Sequence, residues 1–189
     1  SVGEVAAAWA VGIYDTETAT RLVCQRSAAQ QATEGQGRML AINRAWPEVQ
    51  GLLTTLGLDQ AWVECAAVNA PDQLTLAGDE DALQQIADYG RANGFFARML
   101  GLDYAFHSQA MDGIEADLRQ RLDGLQGMPG HRAFISSVTG KACDGRGLDV
   151  DYWWQNVRAP VAFESATREI IAAGGNILVE IGPEAILQR

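Results

Sequence analysis

Apolar and polar residues alternate at two spacings along this chain, one typical of helices and the other of strands. Helical spacing and helix-forming residues predict helices over 2–12 and 15–32, with Asp15 or Thr16 as the N-cap of the second. Between 38 and 102 the two patterns succeed one another. Strands are predicted at 39–42, 61–68, 73–77 and 95–102, and helices at 45–56 and 79–93.

The order of these elements indicates the fold class. Residues 38–102 are predicted to be β-α-β-β-α-β, the ferredoxin-like order, and to form a compact insert. Further helices are predicted at 109–125 and 161–173, and strands at 134–138 and 177–181, the last of them buried. Strands that alternate with helices favour a parallel sheet, so the prediction is an α/β fold. Residues 1–37 and 103–189 would form its larger part, and 38–102 a smaller subdomain.

The composition of the chain argues against several kinds of binding partner and location. The chain has 189 residues, with 14 basic and 24 acidic side chains and a net charge of −10, which argues against a nucleic-acid surface. No apolar run of about 18 residues is present, so no membrane span is expected. Cys24, Cys65 and Cys143 lack metal-ligand spacing and are interpreted as reduced and buried. These features predict a cytoplasmic protein with no bound metal.

The first residue is a candidate nucleophile. Ser1-Val2-Gly3-Glu4, followed by a predicted helix, resembles the second half of a G-H-S-x-G-E turn, which lifts a serine into a cleft. The backbone amide of Val2, at a helix N-terminus, would donate to an oxyanion. The alternative is an ordinary N-cap serine. On four residues alone, that alternative stays open.

Three further residues are candidates for a catalytic site. Of the two histidines, His107 follows a predicted strand, whereas His131 lies in a loop rich in glycine and proline. Arg26 lies on a predicted helix, where it would form a surface ion pair or capture a carboxylate. Asn156 follows several aromatic residues and would either pack with them or orient a histidine ring.

These residues lie within motifs that run along the whole chain in a consistent order. The motifs are S-V-G-E-V-A-A-A at 1–8, R-L-V-C-Q-R-S at 21–27, M-L-A-I at 39–42, V-N-A-P at 68–71, Y-A-F-H-S at 104–108, Y-W-W-Q-N-V-R-A-P-V-A-F at 152–163 and V-E-I-G-P at 179–183. Together they resemble the acyltransferase domain of modular or iterative type I polyketide synthases. That family is related to malonyl-CoA:acyl-carrier-protein transacylases.

The resemblance implies a fold and a role for each candidate. The expected fold is an α/β-hydrolase-like large subdomain with an inserted ferredoxin-like small subdomain. Ser1 would be the nucleophile, His107 the general base, and Asn156 the residue that helps to hold His107. Arg26 would bind the free carboxylate of the acyl group, and the Val2 amide would supply an oxyanion donor.

The resemblance also implies a reaction and its partners. The expected enzyme moves a malonyl-type unit from malonyl-CoA, through an acyl-serine, to the phosphopantetheine thiol of an acyl carrier protein, without a bound cofactor. The setting would be polyketide, and hence antibiotic, biosynthesis. The expected partners are the acyl carrier protein, a neighbouring ketosynthase and other synthase domains.

The chain departs from the family pattern at both ends. It lacks the Gly-His before Ser1 and the upstream segment with a Gly-Gln-Gly motif, which resembles the source of the second oxyanion donor. Losing one such donor typically costs about 10²–10³ in rate. The expectation is therefore an N-terminally incomplete domain, inactive alone, whose missing part is a further partner. Glu184 also stands where family members often carry histidine.

The motif around the base bears on which acyl group is transferred. Phe106 leaves less room at the acyl α-carbon than the serine of methylmalonyl-type domains, and Val2 also resembles malonyl-selective members. Tyr104 resembles the methylmalonyl type instead. Steric reasoning favours malonyl, with some leakage, because one methyl group is worth only about 1–3 kcal/mol.

Three other functions compete with transfer. An N-terminal-nucleophile hydrolase would fit Ser1, but such enzymes are sandwiches of antiparallel sheets, which the β/α alternation does not favour. A non-catalytic scaffold module of a synthase would fit a truncated domain, but not the retained Ser1, Arg26, His107 and Asn156. A general serine hydrolase would leave Arg26 without a purpose.

Overall fold

Two helices form the first part of the structure. The computed structural model describes residues 1–182. Helix α1 spans Gly3–Ala10 and α2 spans Thr16–Gln31. The carboxylate of Asp15 accepts a hydrogen bond from the Thr18 amide at 2.7 Å, which confirms the predicted N-cap. Helix α2 carries a buried face into the protein, and Arg26 lies on that face.

A four-stranded antiparallel sheet with two helices follows. Its elements are β1 (Arg38–Ile42), α3 (Trp46–Thr55), β2 (Val63–Ala70), β3 (Gln73–Gly78), α4 (Glu80–Ala92) and β4 (Ala97–Met99). The strand order is β2-β3-β1-β4, and every neighbouring pair is antiparallel. The predicted order β-α-β-β-α-β is therefore observed.

The two faces of this sheet pack against different parts of the protein, because successive side chains of a strand point to opposite faces. Leu40 and Ile42 of β1 belong to a core that also includes Leu83 and Ile86 of α4. Small residues on the opposite face pack with Ala105 and the ring of Phe106. The sheet thus supports the segment that leads into His107.

The remaining elements form a second core. They are a 3₁₀ helix at Gln109–Ile114, α5 (Glu115–Arg121), β5 (Phe134–Ile135), β6 (Ala142–Cys143), α6 (Val150–Arg158) and α7 (Phe163–Ala172). Leu22 of α2, Leu118 of α5 and Trp153 of α6 are buried together here. Helix α6 was not among the predicted helices. It begins at the N-cap Asp149, whose carboxylate accepts from the Tyr152 amide at 3.0 Å.

Two strand predictions are corrected. Within residues 1–182 the only other sheet is the antiparallel β5–β6 hairpin, and a single bridge, Ala67–Val161, is parallel. The predicted parallel sheet is therefore not formed by this part of the chain. The predicted buried strand 177–181 is neither a strand nor buried, since Ile177 is 81% and Ile181 95% exposed. A strand needs a neighbour for its backbone hydrogen bonds, and residues 1–182 supply none here.

The cysteines are more exposed than the sequence predicted. Cys24 is exposed, and Cys65 and Cys143 are half-buried, so the prediction that they are buried was wrong. All three are free thiols. Pro183, the end of the last motif, and Glu184 lie outside the described residues. No helix found between residues 1 and 182 is long and apolar enough to cross a lipid bilayer.

Candidate active site

Ser1 and His107 are joined by a direct hydrogen bond. The distance from the Ser1 Oγ atom to His107 Nε2 is 3.0 Å, and His107 Nδ1 lies 2.9 Å from the carbonyl oxygen of Ala159. Because a carbonyl oxygen only accepts, Nδ1 must carry the ring proton, which leaves Nε2 free to accept the Ser1 hydroxyl proton. This is the arrangement of a nucleophile beside a general base.

The backbone of His107 is held in an unusual conformation. Its φ angle is 60°, the only positive φ of a non-glycine residue between 1 and 182. The next residue, Ser108, caps the following 3₁₀ helix and donates from Oγ to the Ala105 carbonyl at 2.5 Å. Left-handed backbone is uncommon outside glycine and persists where the surroundings enforce it, often at active sites. The turn directs the imidazole towards Ser1.

Burial controls the charge of His107. His107 is only 6% exposed, and this burial is the main reason that its pKa falls to about 3. The positive charge of Arg26 lowers the pKa further, while the hydrogen bond to Ala159 raises it. The imidazole is therefore neutral near pH 7, as a general base must be.

Arg26 contacts Ser1, the candidate nucleophile, directly. Its Nη2 atom donates to Ser1 Oγ at 3.0 Å, and its Nε atom donates to the Oδ1 atom of Asn156 at 3.2 Å. Burial lowers the pKa of Arg26 to about 10, against the opposing charge of Glu4, so the guanidinium stays positive at neutral pH. A buried cation beside the nucleophile is an anion-binding group.

Asn156 makes no direct hydrogen bond to His107, the residue that it was predicted to help to hold. The Ala159 carbonyl, at the end of α6, holds the imidazole instead. Asn156, on the same helix, is 2% exposed and accepts from Arg26 while donating from Nδ2 to Glu4 Oε2 at 2.7 Å. It therefore holds the arginine, because one turn of α6 separates it from the residue that faces the imidazole.

Sequence reasoning assigned no role to Glu4, which is central to the site. Its carboxylate accepts hydrogen bonds from the Asn156 amide, the Ser137 amide and hydroxyl, and the Tyr152 hydroxyl. The residue is 8% exposed. An acidic side chain in the first turn of an otherwise apolar helix was the available signal.

The predicted substrate-binding residues line one cavity of about 720 Å³ together with the nucleophile. The lining residues are Ser1, Val2, Cys24, Arg26, Ser27, Ala28, Gln30, Gln31, Tyr104 and Phe106. The rings of Tyr104 and Phe106 are stacked, with centroids 4.8 Å apart and planes 10° from parallel. The α2 residues other than Arg26 were not predicted to line a site, since a helix pattern alone does not show which cavity a face borders.

Val2 stands at the start of α1 and borders the same cavity. Its backbone is helical, with φ −64° and ψ −37°, and its amide makes no hydrogen bond to another residue between 1 and 182. The first amides of a helix have no partner within the helix, so they are available to an anion. The structure thus brings together Ser1, Val2, Arg26 and His107.

Comparison with known proteins agrees with this geometry. The family model described as the acyl transferase domain matches residues 1–189. The chain belongs to the acyltransferase domain family of polyketide synthases. This acyltransferase domain is 37% identical over 187 residues to the spectinabilin polyketide synthase system protein NorA' of Streptomyces orinoci, and 36% identical over 188 residues to the polyketide synthase GfsB of Streptomyces halstedii. Each alignment covers 99% of the chain, but only 5% and 3% of those relatives.

Solved structures support the same assignment. The acyltransferase domain from module 8 of the salinomycin polyketide synthase matches with a TM-score of 0.83 and 31% identity, over 92% of this chain and 40% of that one. A loading acyltransferase from the avermectin modular polyketide synthase matches with a TM-score of 0.84 and 31% identity, over 92% of this chain and 55% of that one. The acyltransferase domain described here thus spans about half the length of these solved chains.

Proposed function

We propose that this acyltransferase domain moves a malonyl-type unit from CoA to the phosphopantetheine thiol of an acyl carrier protein through an acyl-serine. One observation carries the proposal. The Oγ atom of Ser1 lies 3.0 Å from both His107 Nε2 and Arg26 Nη2, so a base and an anion-binding group meet at one nucleophile.

The first half-reaction forms the acyl-serine. His107 Nε2 takes the hydroxyl proton as Ser1 Oγ attacks the thioester carbonyl, and the Val2 amide donates to the oxyanion that forms. When the carbonyl re-forms, the carbon–sulfur bond breaks, and the CoA sulfur leaves with the proton from His107. The Ala159 carbonyl stabilises the imidazolium that exists between these steps, since it accepts from Nδ1.

The second half-reaction runs the same steps in reverse with another thiol. His107 takes the proton of the phosphopantetheine thiol, and the thiolate attacks the acyl-serine ester. The bond between the acyl carbon and Ser1 Oγ then breaks, and His107 returns the proton to the serine. No cofactor is consumed or needs to be bound.

Arg26 would select acyl groups that carry a free carboxylate. Its contacts with Ser1 and Asn156 use two of the five guanidinium donors, so the remaining donors are open to an anion. A planar fork suits a carboxylate, which accepts two parallel hydrogen bonds. The position of Arg26 beside the nucleophile supports a dicarboxylic acyl unit over a monocarboxylic one.

The stacked rings of Tyr104 and Phe106 would set the size of the acyl unit. Both rings border the cavity, and Phe106 precedes His107 directly. A phenyl ring at this position reduces the space for a methyl group on the α-carbon. We therefore propose malonyl as the preferred unit, with methylmalonyl as the competitor.

The subdomains and partners form part of the same proposal. Residues 38–102 would be the ferredoxin-like small subdomain, and 1–37 with 103–189 part of an α/β-hydrolase-like large subdomain. The sheet order β2-β3-β1-β4 supports the first assignment. The great length of the curated relatives supports an acyl carrier protein, a ketosynthase and other synthase domains as partners, in a cytoplasmic assembly.

Intact-protein mass spectrometry tests the proposal. This chain and a version extended upstream are incubated separately with malonyl-CoA, methylmalonyl-CoA and acetyl-CoA, and the Ser1→Ala variants are the controls. A malonyl adduct that maps to Ser1 in the extended form, is absent from its variant and passes to a phosphopantetheine thiol is the expected result. Release of free malonate without a thiol acceptor would favour a hydrolase. No adduct in either form, with both folded, would favour a non-catalytic scaffold. Acylation of the variants described below is measured in the form that accepts malonyl.

A further inference from the structure

Gln30 is a buried residue whose side chain has no hydrogen-bond partner in the described part of the chain. The residue is 6% exposed, and no other residue between 1 and 182 hydrogen-bonds to its side-chain amide. No side-chain nitrogen or oxygen in this part of the chain is both sealed from solvent and unpartnered. The amide of Gln30 must therefore reach an open surface, and the open surface that Gln30 lines is the active-site cavity.

Gln30 and Arg26 lie on the same face of α2. Gln30 follows Arg26 by four positions, which places the two residues on neighbouring turns of one helix face. Both line the cavity. A ligand held by the guanidinium in this cavity is therefore next to the turn that carries Gln30.

A carboxylate held by Arg26 would leave acceptor sites for a second donor. An ionised carboxylate offers about four lone-pair sites, of which a bidentate arginine fills two. The NH₂ group of Gln30 is a neutral donor within the same cavity.

We infer that Gln30 is a specificity-determining residue, which donates a hydrogen bond from its side-chain amide to the free carboxylate of the acyl group beside Arg26. The inference rests on the proposed function, because it assumes that Arg26 binds that carboxylate. The hydrogen bond from Gln30 is a second contact, which recognises the carboxylate without adding a charge to the site.

The test compares Gln30→Leu with Gln85→Leu. Gln85 is the matched control, because it is an exposed glutamine on a helix, α4, and does not line the cavity. For each variant, kcat/KM for acylation of Ser1 is measured with malonyl-CoA and with acetyl-CoA. Gln30→Leu is expected to lower the malonyl value by roughly tenfold or more and to leave the acetyl value within about twofold. Gln85→Leu should change neither.

A second variant, Gln30→Glu, tests the same inference if Gln30→Leu does not fold. Gln30→Glu keeps the size of the side chain but places a negative charge beside the carboxylate, so it should lower malonyl acylation further and spare acetyl acylation. Circular dichroism checks that each variant is folded. Equal losses with both donors, or an unchanged malonyl value in both Gln30 variants, would overturn the inference.

The outcomes also separate this inference from the proposed function. If malonyl acylation of Ser1 depends on Arg26 but not on Gln30, the proposed function stands and the inference falls. If malonyl-CoA never acylates Ser1, the proposed function fails and the inference fails with it.

Discussion

Asn156 donates a hydrogen bond to the buried carboxylate of Glu4 across 2.7 Å, although 152 positions separate the two residues along the chain. Asn156 in turn accepts from Arg26, whose guanidinium contacts the Ser1 hydroxyl. A continuous chain of hydrogen bonds therefore runs from Glu4 through Asn156 and Arg26 to Ser1. The position of Arg26 thus depends on the carboxylate of Glu4, which is not among the residues that line the cavity.

Glu4→Gln should destabilise the protein and slow acylation of Ser1. An amide replaces one acceptor oxygen with a donor, so at least one buried donor loses its partner, at a cost of roughly 1–3 kcal/mol. Urea unfolding measures the free energy, and acylation by malonyl-CoA measures activity. Glu17→Gln, in the exposed first turn of α2, is the control and should change stability by less than about 0.5 kcal/mol. Equal effects of the two substitutions would contradict the central role of Glu4.

Arg26→Ala should reduce malonyl transfer far more than acetyl transfer. A hydrogen bond to a charged group is worth about 1.5–3 kcal/mol, so the ratio of the two kcat/KM values should change by roughly 10- to 100-fold. Arg26→Lys keeps the charge without the planar fork and should give a smaller change in the ratio. The exposed Arg21 on the same helix, changed to alanine, is the control. Equal losses with both donors would refute the carboxylate role.

The buried neutral His107 should make the fold sensitive to acid. Its pKa is about 3 in the folded chain, against about 6.5 when unfolded, so between these values the unfolded chain binds a proton that the folded chain does not. The stabilisation from keeping His107 neutral is present above about pH 6.5. It decreases as the pH falls towards 3, by up to roughly 1.4 kcal/mol per pH unit.

Urea unfolding between pH 7 and pH 4 measures this dependence. His107→Asn should show a shallower decrease than the parent chain, and asparagine tolerates the left-handed backbone at this position. The exposed His131, changed to asparagine, should keep the parent slope. Identical slopes for the parent and His107→Asn would show that His107 does not titrate in this way.

Val2→Pro should remove an oxyanion donor without disturbing the helix. The φ angle of Val2 is −64°, which proline adopts, and its amide hydrogen bonds to no other residue among 1–182. Loss of one donor is expected to slow acylation of Ser1 by about 10²–10³. Val2→Ala keeps the amide and should stay within about tenfold of the parent. A similar rate for Val2→Pro and Val2→Ala would mean that another group stabilises the oxyanion.

Phe106→Ser should shift the choice of acyl unit towards methylmalonyl. The substitution removes a ring stacked on Tyr104 and opens space in the cavity. Because one methyl group is worth about 1–3 kcal/mol, the methylmalonyl-to-malonyl ratio of kcat/KM should rise by roughly tenfold or more. Competition between the two CoA esters, followed by mass spectrometry of the acyl-serine, measures the ratio. Phe96→Ser, at an exposed position next to β4, should leave the ratio unchanged.

The sequence correctly predicted the helices and strands that are set by residues close to one another along the chain. Asp15 caps α2 because its carboxylate reaches an amide three residues away. A short apolar run identified β1, and alternating polar and apolar residues identified β3. The strand predicted at 177–181 shows the limit of this reasoning. Its apolar residues fit a strand, but a strand forms only where a neighbour completes its hydrogen bonds, and pattern alone does not show whether one is present.

By itself, the sequence determined the order of elements between 38 and 102, the family motifs and the identities of Ser1, Arg26 and His107. Only the tertiary structure decided their partners. Asn156 binds Arg26 and Glu4, while the Ala159 carbonyl accepts from the imidazole. The packing of α6 decides these partners, which lie 52 to 152 positions apart along the chain. Such contacts depend on distance and direction in space, which local propensity does not encode. The role inferred for Gln30 likewise depends on the tertiary structure, because only the structure shows that this buried residue lines the cavity.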